Sequence, residues 1–400
     1  MSISNSDRLA SDIQELVPEL IALRRDFHEH PELAYEEVRT SGIVAQRLRH
    51  LGLEVQTGMA KTGVIGLLHG SAGGEGQSGK TLAIRADMDA LPIHEMNQVE
   101  YRSQVDGKMH ACGHDGHTAI GLEVAEILSK RRAELNGTVK FIFQPAEEGA
   151  GGANLMMKEG VMDGVDGIIG LHLASDIPAG RVAVTRGASQ SAANSFTITV
   201  KGKGGHAAAP EQTVDTIMIS VHIIEALYSL MSRATSPNDP IIISIGAINA
   251  GSAHNIIPDV ATIRGTLRTY SLERQHEIAQ RIQELATGIA SAMQGSAEVE
   301  MNEGCPPCIN DVAMAELVER AVITSVGAER LDSYINRKMG PSDDMGAMLL
   351  AAPGCYFNLG TSNIAKETNY AHHHPRFNID EDALPVGVEV MARAALEYLS

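Results

Sequence analysis

Cysteine and basic residues are scarce in this chain, and each scarcity excludes a class of protein. Only four cysteines occur in 400 residues, too few for a disulfide scaffold, so a reducing cytoplasm is the expected compartment. Lysine and arginine number 32 against 50 aspartates and glutamates, which gives a formal net charge of −18. Such a surface repels phosphate backbones and anionic lipids, so neither nucleic acid nor a membrane is an expected partner.

Long apolar runs are also missing. The first twelve residues are polar, without the apolar core of a signal peptide, and no apolar segment is expected to reach the length that spans a membrane. Hydrophobic residues nevertheless make up 44% of the chain and charged residues 20%, which is typical of a globular protein with a core. The length predicts two domains rather than one.

Two sequence patterns follow each other along the chain. In the first, short apolar strands alternate with helices, which predicts an α/β domain with a mixed sheet and helices on both of its faces. These strands are expected at 64–68, 82–86, 139–143 and 168–171. In the second, apolar and polar residues alternate, as in a half-exposed sheet. We predict a catalytic domain over 1–186 and 305–400 and an inserted α+β domain over 187–304.

The start of the chain has a helical pattern with a proline inside it. Apolar residues recur at a spacing of three to four from Leu9 to Phe27, which predicts an amphipathic helix. Because Pro18 lacks a backbone donor, the pattern predicts two abutting helices or a kink rather than one straight helix.

A glycine-rich stretch at 74–81 matches the phosphate-binding string GxxxxGK[ST]. Such a loop binds phosphate only when it follows a strand and opens a helix, whose free N–H groups hold the anion. Here the following residues, 82–86, predict a strand instead. An exposed hairpin loop is the favoured interpretation, and a nucleotide-binding protein stays as an alternative that lacks its helix.

The most informative segment is MHACGHDGH at 109–117. A thiol and an imidazole two residues apart, Cys112 and His114, can turn toward one point on a loop that contains glycine. These are donors that bind zinc, manganese or cobalt. Taken alone, the segment leaves two alternatives open, because a buried structural cysteine beside hydrogen-bonded histidines gives a similar string.

Further metal-binding residue types follow the predicted strands. Glu147 and Glu148 come directly after the strand at 139–143, where ligands and catalytic groups gather in open α/β sheets. Two like charges there are costly unless a cation binds one of them, so one carboxylate can hold a metal while the other moves protons. His172 is expected at the end of the next apolar strand, and three histidines stand at 372–374. Together these residues predict a metal site.

Six motifs occur together and in order, and jointly they resemble a known family. They are RADMDALP at 85–92, CGH at 112–114, QPAEEG at 144–149, GHA at 205–207, HNIIPD at 254–259 and HHP at 373–375. The chain resembles the metal-dependent aminoacylase and carboxypeptidase family, and within it the hippurate hydrolase and indole-acetyl-amino-acid hydrolase subgroup. The resemblance covers nearly the whole chain. It implies a two-metal, zinc-peptidase-like catalytic domain with an inserted lid or dimerisation domain.

The resemblance also implies roles for individual residues. Two divalent ions, of zinc, manganese, cobalt or nickel, would be bound by five side chains. These five are Cys112, His114, Glu148, His172 and His373. Glu147 would be the general base, and Asp87 would be an aspartate that supports the site. His206 would donate a hydrogen bond to the oxyanion of the intermediate, and Asn255 would be its companion on the substrate oxygen.

The expected activity is hydrolysis of an N-acyl amino acid, of the N-acetyl or N-benzoyl type, to a carboxylic acid and a free amino acid. Arg264 is the candidate for binding the substrate carboxylate. A dipeptidase or carboxypeptidase of the same fold is the alternative activity, and a non-catalytic metal-binding protein is a remote one. A homodimer or a larger homo-oligomer through the inserted domain is also expected.

Overall fold

A mixed sheet and an antiparallel sheet organise the part of the chain that the computed structural model describes, which is residues 5–72, 79–149, 151–236, 239–335 and 340–400. The strands are β1 (Glu54–Met59), β2 (Gly63–His69), β3 (Lys80–Asp87), β4 (Gly137–Gln144), β5 (Gly167–Pro178), β6 (Val182–Gln190), β7 (Asn194–Lys201), β8 (Gly205–His206), β9 (Ile242–Ala250), β10 (Ile256–Ile257), β11 (Val260–Arg268), β12 (Ser296–Glu303), β13 (Cys308–Asn310), β14 (Leu331–Ile335) and β15 (Gly354–Ser362). The helices are α1 (Asn5–Glu29), α2 (Val38–His50), α3 (His114–Ser129), α4 (Gly152–Lys158), α5 (Thr216–Ala234), α6 (Leu272–Ala292), α7 (Val312–Val326), α8 (Met345–Ala351) and α9 (Leu384–Tyr398).

By its internal contacts the chain divides into two compact units. The first unit is Met1–Gly187, Ile309–Arg337 and Ala347–Ser400, and the second is Ala188–Cys308 and Lys338–Gly346. The limits differ from the predicted domains mainly at 340–346, which we assigned to the catalytic domain. This segment groups with the second unit because the hydroxyl of Ser191 donates to the carbonyl of Gly340 and Arg268 donates to the Ser342 hydroxyl.

The nine-stranded sheet is mixed, which agrees with the predicted α/β class. Its order is β1-β2-β4-β3-β5-β15-β6-β13, with β14 beside β6. The strands β4, β3, β5 and β15 are parallel neighbours, whereas β1, β2 and β4 are joined in antiparallel fashion. Nearly every side chain in the second half of β3 and β4 is buried, which is typical of strands covered on both faces.

The central helix of this unit is α3, which is buried almost all the way around. It packs on α1, α2 and α9 and on the strands β3, β4 and β5. The helix begins at His114, directly after Gly113 in the left-handed region at φ 91°. A Cβ atom on Gly113 would lie 3.3 Å from the Cβ of Leu173, so this turn also needs a residue without a side chain.

The first helix is continuous, and the prediction of two abutting helices is wrong. A single helix, α1, runs from Asn5 to Glu29 with Pro18 inside it. The apolar residues from Leu9 to Phe27 that the pattern singled out are buried, and the helix packs on α3 and α9. Burial of this stripe offsets the roughly 3 kcal/mol that an interior proline costs a helix.

The second unit is a four-stranded antiparallel sheet with the order β12-β7-β11-β9. Its own apolar core comes from one face of the sheet and from α5 and α6. The alternation in β7 agrees with the expected pattern, since Phe196, Ile198 and Val200 are buried while their neighbours are not.

One helix needs a correction to the sequence analysis. By length and composition alone, α5 could cross a membrane, contrary to the prediction that no apolar segment reaches spanning length. In the structure Ile219, Ile223 and Leu227 of α5 are buried, and the helix packs on β7, β9 and β11. A helix that buries one apolar face in a protein core can have the length and composition of a membrane-spanning helix, so these two properties do not distinguish the two kinds of helix.

The predicted phosphate loop falls mostly outside the described residues, which omit 73–78. The residues that follow it, Lys80–Asp87, form β3 and not a helix. The string therefore lacks the helix N-terminus that phosphate binding requires.

Glu123 is a carboxyl group buried within the packing around α3. Its side chain has no hydrogen-bond partner among the described residues, and the nearest cation is Arg47, whose Nη2 lies 3.7 Å from Oε1. Oxygens of Glu19 and Glu126 lie within 4.8 Å of it. Burial, and secondly the charge of Glu126, raise the pKa of Glu123 to about 8.

We expect Glu123→Gln to stabilise the protein increasingly as the pH rises. The carboxyl pKa is about 8 in the folded chain and near 4.5 in the unfolded one, so wild-type stability falls as the pH rises through this window. The amide does not ionise. The advantage of the variant in free energy of unfolding should therefore grow by about 2–3 kcal/mol between pH 6 and pH 9. Urea unfolding of the metal-free proteins at both pH values measures this difference in the free energy of unfolding.

The matched control is Glu389→Gln, which alters a half-buried carboxylate of α9 that pairs with Arg393 at 2.6 Å and has no described contact with this group. An advantage of Glu123→Gln that stays constant between the two pH values would contradict the assignment of the raised pKa to Glu123.

Candidate metal centre

The loop that carries Cys112, residues 109–113, leads directly into α3 and is also joined to the C-terminal part of the first unit. Cys112 is 9% exposed and His114 is 1% exposed, so both donors are buried. The backbone N–H of His373 donates to the carbonyl of Ala111 at 2.8 Å, which joins the loop to the late histidine run. His373 itself has φ 64°, a left-handed conformation that a non-glycine residue adopts only where its surroundings hold it.

All five predicted ligands lie together, in two groups that share Cys112. The donor atoms of Cys112, His114 and His172 lie within 4.8 Å of one another, and so do those of Cys112, Glu148 and His373. Cys112 Sγ is 3.6 Å from His172 Nε2, and His373 Nε2 is 3.2 Å from Glu148 Oε1. Two overlapping groups with one common thiol are an arrangement that can hold two ions side by side.

The unsatisfied polar atoms at this site fit a metal. Neither ring nitrogen of His114, nor Oε1 of Glu148, makes a hydrogen bond of good geometry with a described residue, although all three atoms are buried and each faces a polar side-chain atom at 3.2–3.8 Å. His172 donates from Nδ1 to the carbonyl of Leu173 at 2.7 Å, which leaves Nε2 as the acceptor that faces Cys112. Thiol, imidazole and carboxylate donors of this kind suit zinc and related transition metals.

His172 reaches the site from within a strand, not from its end, so that prediction is wrong. The strand β5 continues to Pro178. Its pairing with β3, however, is recorded only as far as Gly170 opposite Arg85, and from there it continues beside β15. His172 therefore lies just beyond the last recorded pair between β3 and β5, level with the end of β3.

Asp87 is fully buried and is held by two partners. Its Oδ1 accepts a hydrogen bond from His117 Nδ1 at 2.6 Å, and its Oδ2 accepts one from Arg85 Nη1 at 2.6 Å. Burial favours the neutral acid, but the charges of Arg85, His114 and His117 together hold the pKa of Asp87 well below its usual range. With both oxygens engaged, Asp87 supports the site as a hydrogen-bond acceptor.

His117 is fixed by its two contacts. The backbone N–H of Leu173 donates to His117 Nε2 at 2.9 Å, so the proton of the neutral ring is on Nδ1, which faces Asp87. Both nitrogens are therefore used in this arrangement, although donor atoms of His117, Asp87 and His114 also lie within 4.8 Å of one another.

Asp89 is a residue that the sequence analysis did not single out. Its two carboxylate oxygens accept the backbone N–H groups of Glu147 and Glu148, each at 3.0 Å, and Oδ1 lies 3.3 Å from His114 Nδ1. Asp89 thus links the acidic loop to the first residue of α3. Asp89 lies within the motif at 85–92, but its role is not evident from the sequence, because two of the groups that it binds are backbone amides.

Comparisons with known proteins agree with this geometry. The model of the family described as "Peptidase family M20/M25/M40" matches residues 83–397. The chain belongs to this family.

Relatives of this M20 chain are similar over nearly its whole length. It is 38% identical over 396 residues to thermostable carboxypeptidase 2 of Saccharolobus solfataricus, a match that covers 98% of each chain. It is also 38% identical over 383 residues to N-acetylcysteine deacetylase of Bacillus subtilis, covering 95% of this chain and 97% of that one.

A solved structure shows the same fold. A Bacillus subtilis protein described as a dinuclear metal binding peptidase from the M20 family superposes with a TM-score of 0.83 and 34% identity, covering 96% and 99% of the two chains. The M20 chain is therefore a metal-dependent amidohydrolase that works with two divalent metal ions.

A second histidine of the late run also faces the thiol of this M20 enzyme. Nδ1 of His372 lies 3.7 Å from Cys112 Sγ, and the backbone N–H of Ser175 donates to His372 Nε2 at 3.4 Å. Burial, and secondly the charge of His172, lower the pKa of His372 to about 2, so the ring is neutral. We singled out His373 from its spacing before Pro375, a spacing that does not reveal that His372 also lies beside the site.

The three predicted substrate-binding residues lie in the second unit, and the structure brings two of them together. His206 in β8 pairs with Ile256 in β10, and the N–H of Ala207 donates to the carbonyl of Asn255 at 3.1 Å. Both His206 and Asn255 are exposed. Arg264 lies on the central strand β11 and is exposed, opposite Thr197 of β7, and no described contact joins it to the other two.

We expect Cys112→Ala to retain fewer than two metal ions per chain, because the thiol belongs to both groups of donors. Loss of a residue that merely orients a ligand costs about 10–100-fold in affinity, and loss of the shared donor should cost at least that much. Elemental analysis after dialysis measures the metal content.

The control for this variant is Cys355→Ala, which removes a thiol that is just as buried but lies in β15, where burial raises its pKa. Cys355→Ala should keep both ions. If Cys112→Ala also kept two ions at wild-type affinity, the assignment of Cys112 as a ligand would be wrong.

Proposed function

We propose that this M20 enzyme hydrolyses the amide bond of N-acyl amino acids, and the observation that carries the proposal is the pair Glu147 and Glu148. Donor atoms of both glutamates and of His114 lie within 4.8 Å of one another, and Glu148 also faces His373. Glu148 thus belongs to the donor group of Cys112 and His373 as well, and Glu147 lies beside it, close to the same point.

Cys112, His114, Glu148, His172 and His373 are the proposed ligands of the two ions. Ions bound there act as Lewis acids and lower the pKa of water from 15.7 toward about 7. Glu147 takes the proton of the attacking water and returns it to the leaving amine. Asp89 keeps Glu147 in position for both transfers through the backbone hydrogen bond at 3.0 Å. Asp87, through His117 and Arg85, keeps the surrounding groups oriented.

The N-acyl amino acid class is supported by the relative that is named N-acetylcysteine deacetylase. The alternative, a carboxypeptidase or dipeptidase, is supported to the same degree of identity by the relative that is named thermostable carboxypeptidase 2. Both activities split an amide beside a free carboxylate, so they differ in the acyl side of the substrate and not in the chemistry.

We further propose that His206 and Asn255 contact the substrate oxygens and that Arg264 contacts the substrate carboxylate. The support for the first two is that they stand together and exposed on one paired segment, β8 and β10. Arg264 has only its exposed positive charge in its favour.

A homodimer through the second unit and a cytoplasmic location complete the proposal. The helix α5 leaves Met218 and Tyr228 exposed, and the edge strand β9 leaves Ile248 exposed, so this unit has apolar surface that a second copy can cover. No disulfide joins the four cysteines, all of which lie among the described residues, and this suits a reducing compartment.

We expect Glu147→Gln to separate metal binding from chemistry. The amide has nearly the same shape, so metal content and thermal stability should match the wild type. The turnover number should fall by about 10²–10⁴-fold, because the proton acceptor is lost. Turnover is measured on N-acetyl amino acids, N-benzoyl amino acids and dipeptides.

This panel distinguishes the proposal from its alternative. Hydrolysis of the N-acyl substrates by the wild type, lost in Glu147→Gln, supports the proposal. Cleavage of peptides alone would favour the carboxypeptidase activity, and near-wild-type rates in Glu147→Gln would assign the proton transfer to another carboxylate.

We expect His206→Ala to lower the turnover number by about 10²–10³-fold with unchanged metal content, which is the loss seen when one oxyanion donor is removed. Mixing this variant with Glu147→Gln tests the homodimer as well. Activity regained on subunit exchange would mean that His206 acts on the active site of a partner. Unaltered turnover in His206→Ala alone would contradict its proposed role.

A further inference from the structure

Four charged side chains are buried where α1 meets the start of α3. Arg24 and His28 of α1 and Asp115 of α3 are each 0% exposed, and Glu95 is 2% exposed. Burying charges costs several kcal/mol per ion unless they are paired with good geometry. A cluster of this kind is therefore expected where it specifies one arrangement of the chain.

Asp115 is the centre of the cluster. Its Oδ2 lies 2.7 Å from His28 Nδ1 and 2.9 Å from Arg24 Nε. His28 Nε2 lies 3.1 Å from Glu95 Oε1, so both ring nitrogens face carboxylates and the ring serves as a donor at each. Two positive and two negative groups thus compensate one another inside the protein.

The cluster is anchored on its outer side as well. The backbone N–H of Ser103 donates to Glu95 Oε2 at 2.7 Å. Arg24 donates from Nη1 to Glu381 at 3.2 Å and from Nη2 to Asn378 Oδ1 at 3.2 Å. Glu381 and Asn378 belong to the segment that follows His373. One guanidinium of α1 therefore contacts both the start of α3 and the segment after the late histidines.

Asp115 is adjacent to His114 in the first turn of α3, and this turn has no side-chain cap. The cap position is Gly113, which offers no side chain to fix the start of the helix. One face of the turn is held through His117 and Asp87 at 2.6 Å, and the other face is held by Asp115 against Arg24 and His28. The position of His114 thus depends on contacts from both sides.

We propose that Asp115 and Arg24 are positioning residues that set the affinity of the metal centre by holding His114 and the segment after His373 in place. The inference rests on the proposed ligand set. Residues that orient metal ligands from behind typically contribute 10–100-fold to metal affinity.

The test compares two aspartates that tether the same pair of helices. Asp115→Asn removes the charge at the start of α3. Asp12→Asn is the matched control, since Asp12 of α1 pairs at 2.5 Å with Arg131, just beyond the other end of α3. Cobalt is titrated into each metal-free full-length protein, and the affinity and the absorption spectrum of the bound ion are recorded along with urea unfolding.

Both variants should unfold at lower urea concentration than the wild type, because each loses an ion pair between an aspartate and an arginine. Only Asp115→Asn should bind cobalt more weakly, by about 10–100-fold, with an altered spectrum. Equal cobalt affinity and equal spectra for the two variants would overturn the inference.

If Asp115→Asn does not fold, Arg24→Lys takes its place as the test variant. Lysine keeps the positive charge but lacks the planar guanidinium whose nitrogens reach Glu381 and Asn378. This variant too should bind cobalt more weakly than Asp12→Asn, and wild-type affinity in Arg24→Lys would overturn the inference. A wild type that fails to bind two ions would instead contradict the proposed function, so the two failures are distinguishable.

Discussion

Two carboxylates at the carboxyl end of β3 hold the catalytic end of the first unit together. Asp87 accepts hydrogen bonds from His117 and Arg85, and Asp89 accepts the backbone N–H groups of Glu147 and Glu148. Both carboxylates are buried, and these donors compensate the cost of removing their oxygens from water. Because the donors come from β3 itself, from α3 and from the loop after β4, the contacts that stabilise the charges also fix the segments that carry the proposed base and ligands.

Left-handed backbone at residues other than glycine occurs in the loop after β4 and in the late histidine run. Ala146 has φ 57° and His373 has φ 64°, conformations that cost on the order of 1 kcal/mol or more each. Each is stabilised by a hydrogen bond from its own amide: Ala146 donates to Glu37 Oε1 at 3.0 Å, and His373 donates to the carbonyl of Ala111 at 2.8 Å. These hydrogen bonds therefore hold the strained backbone in place. The candidate ligands can thus stay arranged before any ion binds.

Much of the fold and of the candidate site could be predicted from the sequence. The features that could not be predicted were missed for physical reasons. The apolar runs of β3 and β4 and the metal-binding residue types were visible, because burial and coordination select particular side chains. The strand β15 was not predicted, since its pairing with β5 depends on contacts distant in sequence. Asp89 and Glu37 could not be found, because they bind backbone amides, which every residue has. Pro18 does not divide the first helix, because packing of the whole helix outweighs a local preference, and the kink stays a prediction.

The net charge of −18 and an anionic substrate are compatible for a reason of length scale. At physiological salt the charges of the surface are screened over about 8 Å, so a single carboxylate in a site responds mainly to the groups next to it. Two divalent ions bound there offset the charges of the nearby carboxylates. Nucleic acid, in contrast, meets many surface charges at once and is repelled by all of them. The acidic surface is therefore compatible with the proposed small acidic substrate, which the groups around the ions would select.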